Sequence, residues 1–450
     1  MRILMDCTNT HYSGMRTGIQ RDVIQTVRHA AALGPELGLE CIPVVLRGNG
    51  AYRPRDLFRL GWPHRWRAVM MRMYFAILKP GGRGDSDRPE APSVDGRPGW
   101  PEGNRAIRWR DLVRHTARRC LRALAFGVPD WFLSRGNRAV PFQDGDVLLL
   151  RDASWAHPPW TLIEKAAPAN LKVLAIVHDL IPLSHPQFMS ANLTREFGAW
   201  LLEACRRCTA LLCVSAATES QLAAYCREHC ADRPPVLAHF HWGVDPIEER
   251  SPGALHAFDP RLFQRGPVYL MVGTLEPRKN HAFVLDAFEE LWKSLPNVQL
   301  AIVGKAGWLV EPLLKRIRSH PRHGSTLHWW TNVTDGELDY LYRHGRALIA
   351  ASVVEGFGTP IIEALSRRLP VFASDIPPFR EVGGDFCVFF SLASPRSLRS
   401  AVEAYERTEH IGARPVAEFT WPSWRESTRS LLQLVQRTVA TAEAGSKELR

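Results

Sequence analysis

The feature that most constrains the fold is an apolar run that passes through a glycine-rich loop into a helix. Residues 347–350 predict a short buried strand, and Gly356 and Gly358 allow a tight turn after it. Pro360 suits the first turn of a helix, which we therefore expect to begin near Thr359. Repeated strand–loop–helix units build α/β proteins, so this stretch predicts an α/β fold.

Two glutamates frame this loop. Glu355 precedes the expected helix start, and Glu363 follows it inside the helix. A helix start presents unpaired backbone N–H groups and the positive end of the helix dipole, so a diphosphate could bind there without a metal. Carboxylates accept hydrogen bonds from hydroxyls, which suits the pair to sugar or ribose hydroxyls. A capped surface helix explains the same local pattern equally well.

The size and composition point to a soluble protein of two domains. A chain of 450 residues is too long for one ordinary core, and 45% hydrophobic with 23% charged residues is typical of globular proteins. No apolar run approaches the roughly 18 residues that span a bilayer, and Asp6 comes too early for a signal peptide. We therefore expect a cytoplasmic protein whose nine cysteines are reduced thiols.

Strand and helix patterns alternate in two series, separated by a Pro- and Gly-rich stretch at 245–265. We predict an N-terminal domain at 1–245, a C-terminal domain at 246–420 and a C-terminal helix in 421–450 that crosses back to the first domain. The first series opens with a strand, a polar loop from Thr8 to Gly18 that contains Gly14, and a helix from Ile19. These glycines either bring the backbone close to an acceptor or phosphate, or are simple turn residues.

An insertion at about 50–140 interrupts the first series. It contains a Gly/Pro/Ser/Asp-rich segment at 80–105, which we predict to be disordered, and a basic helix at 107–125. Three arginines spaced four residues apart accompany an apolar face on that helix: Arg114, Arg118 and Arg122. This pattern fits an anionic membrane interface or a solvated basic face, whereas no nucleic-acid motif accompanies the net charge of +11.

Two further loops carry candidate site residues. His178 and Asp179 follow a predicted strand at 172–177, and ligands of open α/β sheets lie at the carboxyl ends of strands. The histidine could bind a sugar hydroxyl, with the aspartate orienting it or acting as a base, or the pair could tie down a loop. Arg278 and Lys279 follow a strand of the second series and could neutralise a diphosphate.

The cysteine spacing suggests a candidate zinc site. Cys205, Cys208, Cys226 and His229 have spacings compatible with zinc. The cysteines fall at ordinary packing positions of a helix–strand–helix unit, so we predict buried thiols and no metal.

These motifs resemble the retaining glycosyltransferases of family 4, which have the GT-B fold. The resemblance is carried by five stretches: 355–363, 272–280, 176–182, 214–215 and 18–21. It implies two Rossmann-like, doubly wound domains that face a cleft. The sequence at 178–182 looks like the corresponding motif of bacterial mannosyltransferases of surface polysaccharide synthesis.

The resemblance also implies roles for individual residues. Glu355 would contact the donor sugar and His178 would lie at the reaction centre. The residues implied for the donor diphosphate are Arg278, Lys279, Phe357, Gly358 and Thr359. Those implied for the nucleoside are Glu363, Gly273, Gly304 and Val333. The acceptor or phosphate loop would comprise Gly14, Gly18 and Asp179.

The expected function is transfer of a sugar, with mannose from GDP-mannose as the first choice, to a glycan or a polyprenyl-diphosphate-linked oligosaccharide such as a lipopolysaccharide precursor. No metal or other cofactor is implied, because retention in this family is ascribed to front-face attack assisted by the leaving phosphate. UDP-sugar-dependent transfer of glucosyl, N-acetylglucosaminyl or rhamnosyl groups, and nucleotide-sugar epimerisation on the same fold, are the alternatives. The basic helix predicts peripheral contact with the inner face of the cell membrane, and nucleic acid is not an expected partner.

Overall fold

The computed structural model describes residues 1–13, 17–48, 50–55, 137–166, 169–231, 234–245, 255–409 and 414–448. These residues form two sheets, one of eight strands and one of six, and the predicted α/β fold is confirmed. The basic helix at 107–125 and Gly14 lie outside the described residues.

The eight-stranded sheet has the order β4-β3-β2-β1-β5-β6-β7-β8. Its pairs are parallel except β2–β3 and β3–β4, which are antiparallel. The strands are β1 Arg2–Asp6, β2 Glu40–Arg47, β3 Gly50–Arg53, β4 Arg138–Val140, β5 Val147–Leu150, β6 Lys172–Val177, β7 Ala210–Cys213 and β8 Val236–His239. The accompanying helices are α1 Thr8–Ser13, α2 Gly18–Glu36, α3 Trp160–Ala166, α4 Ile181–Ser184, α5 Ala191–Arg207 and α6 Ala216–His229.

The six-stranded sheet is parallel throughout, with the order β11-β10-β9-β12-β13-β14. Its strands are β9 Val268–Val272, β10 Gln299–Val303, β11 Leu327–Trp330, β12 Ala347–Ala350, β13 Val371–Ser374 and β14 Cys387–Phe390. Its helices are α7 His281–Ser294, α8 Glu311–Ser319, α9 Asp335–His344, α10 Thr359–Ser366, α11 Pro377–Gly383 and α12 Pro395–Thr408, and α13 Trp424–Glu448 follows. Single 3₁₀ turns cover Ser154–Ala156, Pro186–Phe188, Pro260–Gln264, Pro277–Lys279, Gly384–Phe386 and Val416–Glu418.

Both faces of the first sheet are buried. Successive residues of a strand point to opposite sides, so each strand contributes side chains to both faces. In β1, Ile3 packs in one apolar cluster with Val23 of α2, whereas Leu4 packs in another with Trp200 of α5. The first of these clusters continues into the second sheet, where it includes Leu270 of β9. A shared apolar core therefore joins the two sheets.

The last helix returns to the first sheet. Leu431 and Val435 of α13 are fully buried in the cluster that contains Val23. Arg425 Nη2 lies 2.6 Å from Glu36 Oε1 at the end of α2, and the Gln436 side chain donates to the Leu37 carbonyl at 3.2 Å. Helix α13 thus follows the second sheet in sequence but packs against α2.

Two expectations for the first domain are wrong in detail. The polar loop predicted from Thr8 to Gly18 contains helix α1, which begins where the Asp6 carboxylate accepts the Thr8 N–H at 3.0 Å. Gly18 is likewise the first residue of α2 rather than a loop residue. The ends of the predicted insertion at about 50–140 form β3 and β4, which pair with each other and extend the sheet.

Candidate functional site

The loop after β9 brings two cations onto one carboxylate. Arg278 Nη1 lies 2.7 Å from Glu355 Oε2, and Lys279 Nζ contacts Glu355 Oε1. The Ser352 hydroxyl donates to Glu355 Oε1 at 2.9 Å, and Arg278 Nε donates to Glu276 Oε2 at 2.8 Å. The structure thus assembles three predicted site residues from two separate loops.

Electrostatics keep Glu355 ionised. Burial alone would favour the neutral acid, but the nearby charges of Arg278 and Lys279 outweigh it and lower the pKa of Glu355 to about 2. Burial disfavours the charged form of Arg278, whereas Glu355 and Glu276 raise its pKa above the usual value. The two cations and two carboxylates therefore form a charge-balanced group whose cations are held in place before any anion binds.

The backbone around this group requires glycine at two positions. Gly273 and Gly304 follow β9 and β10 with φ of 140° and 155°. A Cβ on Gly304 would lie 1.9 Å from the Gly273 carbonyl oxygen, and one on Gly273 would lie 3.8 Å from Lys279 Cε. The two strand ends therefore approach each other closely beside Lys279. Val333, also predicted for the nucleoside, is half-buried against the apolar cluster that includes Tyr342.

Helix α10 begins at Thr359, as predicted. Gly358 precedes it with φ of 121°, and among the described residues the helix start has no side-chain cap. Pro360 occupies the first turn, where a missing N–H costs nothing. Phe357 is buried, so only its backbone can face a ligand.

Glu363 of α10 contacts a residue from each domain. The Tyr342 hydroxyl donates to Glu363 Oε2 at 2.9 Å, and Arg21 of α2 pairs with Glu363 Oε1. Tyr342 is almost fully buried. Burial raises the pKa of its hydroxyl, and the nearby Glu363 carboxylate raises this pKa further. No role was predicted for Tyr342 or Arg21, because neither lies near Glu363 in the chain.

His178 lies at the end of β6 in a buried aromatic environment. Its Nε2 lies 3.1 Å from the Arg151 carbonyl, which can only accept, so Nε2 carries the proton and Nδ1 is an acceptor without a partner among the described residues. Burial lowers the pKa of His178 to about 4. The rings of Trp155 and Trp242 have centroids 6.4 and 5.7 Å from it. His178 is therefore a neutral hydrogen-bond acceptor at neutral pH.

Asp179 does not orient His178, contrary to one predicted role. Its Oδ1 accepts the Ile181 N–H at 3.0 Å and so caps α4, while the Arg151 carbonyl fixes the histidine ring. Burial raises the pKa of Asp179, and the field of Arg278 from the other domain opposes this shift.

The loop at Gly356 docks directly on the first domain. Its carbonyl accepts hydrogen bonds from Ser215 Oγ at 2.6 Å and Thr218 Oγ1 at 3.1 Å, both at the start of α6. A Cβ on Gly356 would lie 2.1 Å from the His178 carbonyl oxygen, so no larger residue fits without movement. These contacts bring the Glu355 loop beside the end of β6, where His178 lies.

Comparison with known proteins identifies the second domain. Residues 255–409 match the family model of glycosyl transferases group 1, so the chain contains a domain of that family. Over 306 residues the chain is 36% identical to the serotype-specific mannosyltransferase WbdA of Escherichia coli, a match that covers 65% of this chain and 37% of that protein. An Escherichia coli O-antigen chain mannosyltransferase is 32% identical over 170 residues, or 37% of this chain and 41% of that one. The matches thus span little more than a third of the curated relatives' length.

Solved structures agree on the fold. The Anabaena protein HepE in complex with UDP-glucose superposes with a TM-score of 0.53 at 14% identity, over 99% of this chain and 100% of that one. Sucrose-phosphate synthase from Thermosynechococcus elongatus also gives a TM-score of 0.53 at 14% identity, over 100% of this chain and 99% of that one. Both are GT-B proteins, so the predicted fold and the resemblance to glycosyltransferases are confirmed. Within the described part of the chain, no helix combines the length and apolar character needed to cross a bilayer.

Proposed function

Because residues 255–409 are a glycosyl transferases group 1 domain, we propose that the chain is a retaining glycosyltransferase that acts on a nucleotide sugar without a metal. The observation that carries this proposal is the placement of Arg278, Lys279 and Glu355 beside the uncapped start of α10. Preorganised cations and a helix start stabilise the charge that develops on a leaving diphosphate. The protein supplies these groups at no cost of reorganisation during the reaction.

The other residues have distinct roles in this proposal. Glu363 binds the ribose, and Glu355 contacts the donor sugar as well as holding the two cations. His178 accepts a hydrogen bond from a sugar hydroxyl through Nδ1, which has no partner within the described part of the chain. The leaving phosphate assists deprotonation of the acceptor hydroxyl, so the mechanism needs no enzymic nucleophile.

Mannose from GDP-mannose is the first choice of donor, with a glycan or a lipid-linked oligosaccharide of a surface polysaccharide as acceptor. The similarity to WbdA and to an O-antigen chain mannosyltransferase supports this choice. UDP-sugars are the alternative donor class, supported by the fold shared with HepE, whose solved complex holds UDP-glucose.

The test is a transfer assay on the purified full-length chain with excess EDTA. GDP-mannose, UDP-glucose and UDP-N-acetylglucosamine are each incubated with mannosylated polyprenyl diphosphate, and glycosides are identified by mass spectrometry and NMR. We expect transfer of mannose with retained anomeric configuration. An epimerised nucleotide sugar with no glycoside would instead support the epimerase, and loss of turnover in EDTA would contradict the metal-independent mechanism.

Peripheral binding to the inner face of the cell membrane is a separate part of the proposal and rests on the basic sequence at 107–125. Flotation with vesicles that contain anionic lipid tests it. Deletion of 56–136 leaves both β3 and β4 intact and should abolish flotation. Unchanged flotation of this variant would refute the membrane role of the segment.

A further inference from the structure

Two histidines emerge on one side of the edge strand of the first sheet. His239 ends β8 and His241 follows it, with Phe240 between them. Successive side chains of an extended chain point to opposite sides, and Phe240 is only 5% exposed. The imidazoles therefore share the side away from the core, with ring centroids 5.6 Å apart.

Each histidine faces a carboxylate from a different element. His239 Nδ1 lies 2.5 Å from Glu219 Oε2 of α6, in the same domain. His241 Nε2 lies 2.7 Å from Glu381 Oε1 of α11, in the other domain. The four side chains thus come from one strand end and two helices and meet where the domains touch.

The arrangement has the size of a metal site. One possible ligand atom from each of His239, His241 and Glu381 lies within 4.8 Å of the other two, and this is the one His/Cys/Asp/Glu group of three or more that does so among the described residues. Tetrahedral ligands of zinc are about 3.3 Å apart when each bond is about 2.0 Å long. Small rotations of these exposed or partly exposed side chains would bring the ligand atoms to that spacing.

The surroundings support ligand roles for these side chains. The Glu381 carboxylate accepts the N–H groups of Ala216 and Ala217 at 2.7 and 3.0 Å, so it is fixed at the start of α6. Glu219 accepts from His239 Nδ1, which leaves Nε2 free to bind a cation. A carboxylate behind a histidine ligand orients the ring and raises its basicity.

From this geometry we infer that His239, His241 and Glu381 bind a divalent transition-metal ion, with Glu219 holding the His239 ring. Imidazole nitrogens with one carboxylate oxygen suit Zn²⁺, whereas Mg²⁺ and Ca²⁺ prefer all-oxygen sites. The ion would replace the direct contact between His241 Nε2 and Glu381 Oε1. It would also connect β8 of the first domain to α11 of the second.

This metal site is separate from the donor site. The Arg278, Lys279 and Glu355 group contributes none of its ligands, so the proposed transfer reaction stays independent of the ion. One contact with the loop that carries Glu355 is the Phe357 ring, whose centroid lies 6.0 Å from that of His241. A zinc titration therefore tests a connection between the two domains. If the chain bound no zinc, the proposed function would be unaffected.

The experiment is a titration of tag-free, metal-free full-length chain with ZnCl₂, followed by competition with a chromophoric chelator. We expect one ion per chain, and at least a tenfold loss of affinity in His239→Ala, His241→Ala and Glu381→Gln. His323→Ala, an exposed histidine of the second domain, is the matched control and should bind as the wild type does. Zinc should also raise the melting temperature of the wild type and the control, but not of the three site variants.

Thiols could compete for zinc, since Cys205 Sγ and Cys226 Sγ lie only 3.6 Å apart. Cobalt(II) distinguishes the two sites, because thiolate ligands produce a strong charge-transfer band that imidazole and carboxylate do not. We expect bound cobalt without this band. The band's presence, or full zinc affinity in the double variant His239→Ala with His241→Ala, would overturn the inference.

Discussion

Arg278 Nη1 lies 2.7 Å from Glu355 Oε2, although the two residues belong to different loops of the second sheet. Both side chains are less than one-fifth exposed, so water screens the pair weakly. Arg278 also pairs with Glu276, whereas Lys279 pairs only with Glu355 among the residues that the structure describes. Glu355 is thus the residue on which the positions of both cations depend.

Replacement of Glu355 by glutamine should abolish most of the transfer. The introduced amide can still accept from Ser352, but the variant loses the charge that positions Arg278 and Lys279, so we expect at least a roughly hundredfold fall in kcat. The unfolding free energy should fall by about 2 kcal/mol, as for a lost hydrogen bond to a charged group. Steady-state kinetics and urea unfolding measure the two effects.

The control for this change is Glu290→Gln on α7. Glu290 makes an exposed pair with Lys293 that water screens, so its loss should change stability little and leave turnover unchanged. Equal turnover of Glu355→Gln and the wild type would refute the assigned donor site.

Replacement of Tyr342 by phenylalanine should weaken nucleotide binding. The change removes the hydroxyl that donates to Glu363 Oε2 and leaves Arg21 as the partner of that carboxylate. If Glu363 binds ribose, we expect the Kd for the nucleotide sugar to rise about tenfold, which corresponds to roughly 1.4 kcal/mol. Isothermal titration calorimetry measures this change.

Tyr269→Phe is the matched control for Tyr342→Phe. Tyr269 is also buried in the second domain, and its hydroxyl donates to Glu406 at 2.5 Å. This variant should lose a similar amount of stability but bind the nucleotide with wild-type affinity. Identical affinities for the wild type and Tyr342→Phe would refute the ribose role of Glu363.

Replacement of Gly356 by alanine should separate the loop from the first domain. The added Cβ would lie 2.1 Å from the His178 carbonyl oxygen, which belongs to the backbone and cannot rotate away. We expect a loss of about 1–3 kcal/mol in stability and a fall in kcat, because the donor loop moves away from His178. Nucleotide affinity should change little, since the proposed contacts to the nucleotide come from the second domain.

Gly198→Ala on α5 is the control for Gly356→Ala. The nearest atom to its added Cβ is Leu183 Cδ2 at 3.2 Å, at the end of a side chain that can rotate. This variant should keep wild-type turnover. Wild-type kcat in Gly356→Ala would show that the close approach to His178 is unnecessary for transfer.

The buried Asp6 should make stability depend on pH in an unusual direction. Burial and the neighbouring Asp152 raise the pKa of Asp6 from 3.8 to about 7, so the folded protein holds this proton more tightly than the unfolded chain does. The contribution of Asp6 to stability is therefore present below about pH 4 and is lost as the pH rises towards about 7.

Asp6→Asn tests this dependence because asparagine mimics the protonated acid and does not titrate. Relative to the variant, the wild type should become progressively less stable between about pH 4 and pH 7 in urea unfolding. A stability difference that does not change over this range would show that Asp6 is not protonated in the folded protein.

Much of the fold could be predicted because its signals are local. Hydrophobic periodicity and turn residues located most strands and helices, including the start of α10 at Thr359 and the capping box in which Thr334 Oγ1 accepts from the Glu337 N–H. The candidate site residues were predictable for the same reason, because Glu355 and Glu363 lie in one short motif and Arg278 and Lys279 in another. Helix α1 was missed because its polar residues have no apolar periodicity, and Asp6, which caps it, belongs to the preceding strand.

The sequence by itself therefore determined the α/β class, the two series of elements and the residues able to bind an anion, since these depend on neighbours within a few positions. Tertiary structure alone decided which residues meet across the domains: Arg21 with Glu363, Ser215 with the Gly356 carbonyl, and His241 with Glu381. It also decided that His178 is neutral, because burial sets its pKa. Contacts between residues more than a hundred positions apart depend on how two sheets pack, and no local pattern encodes that packing.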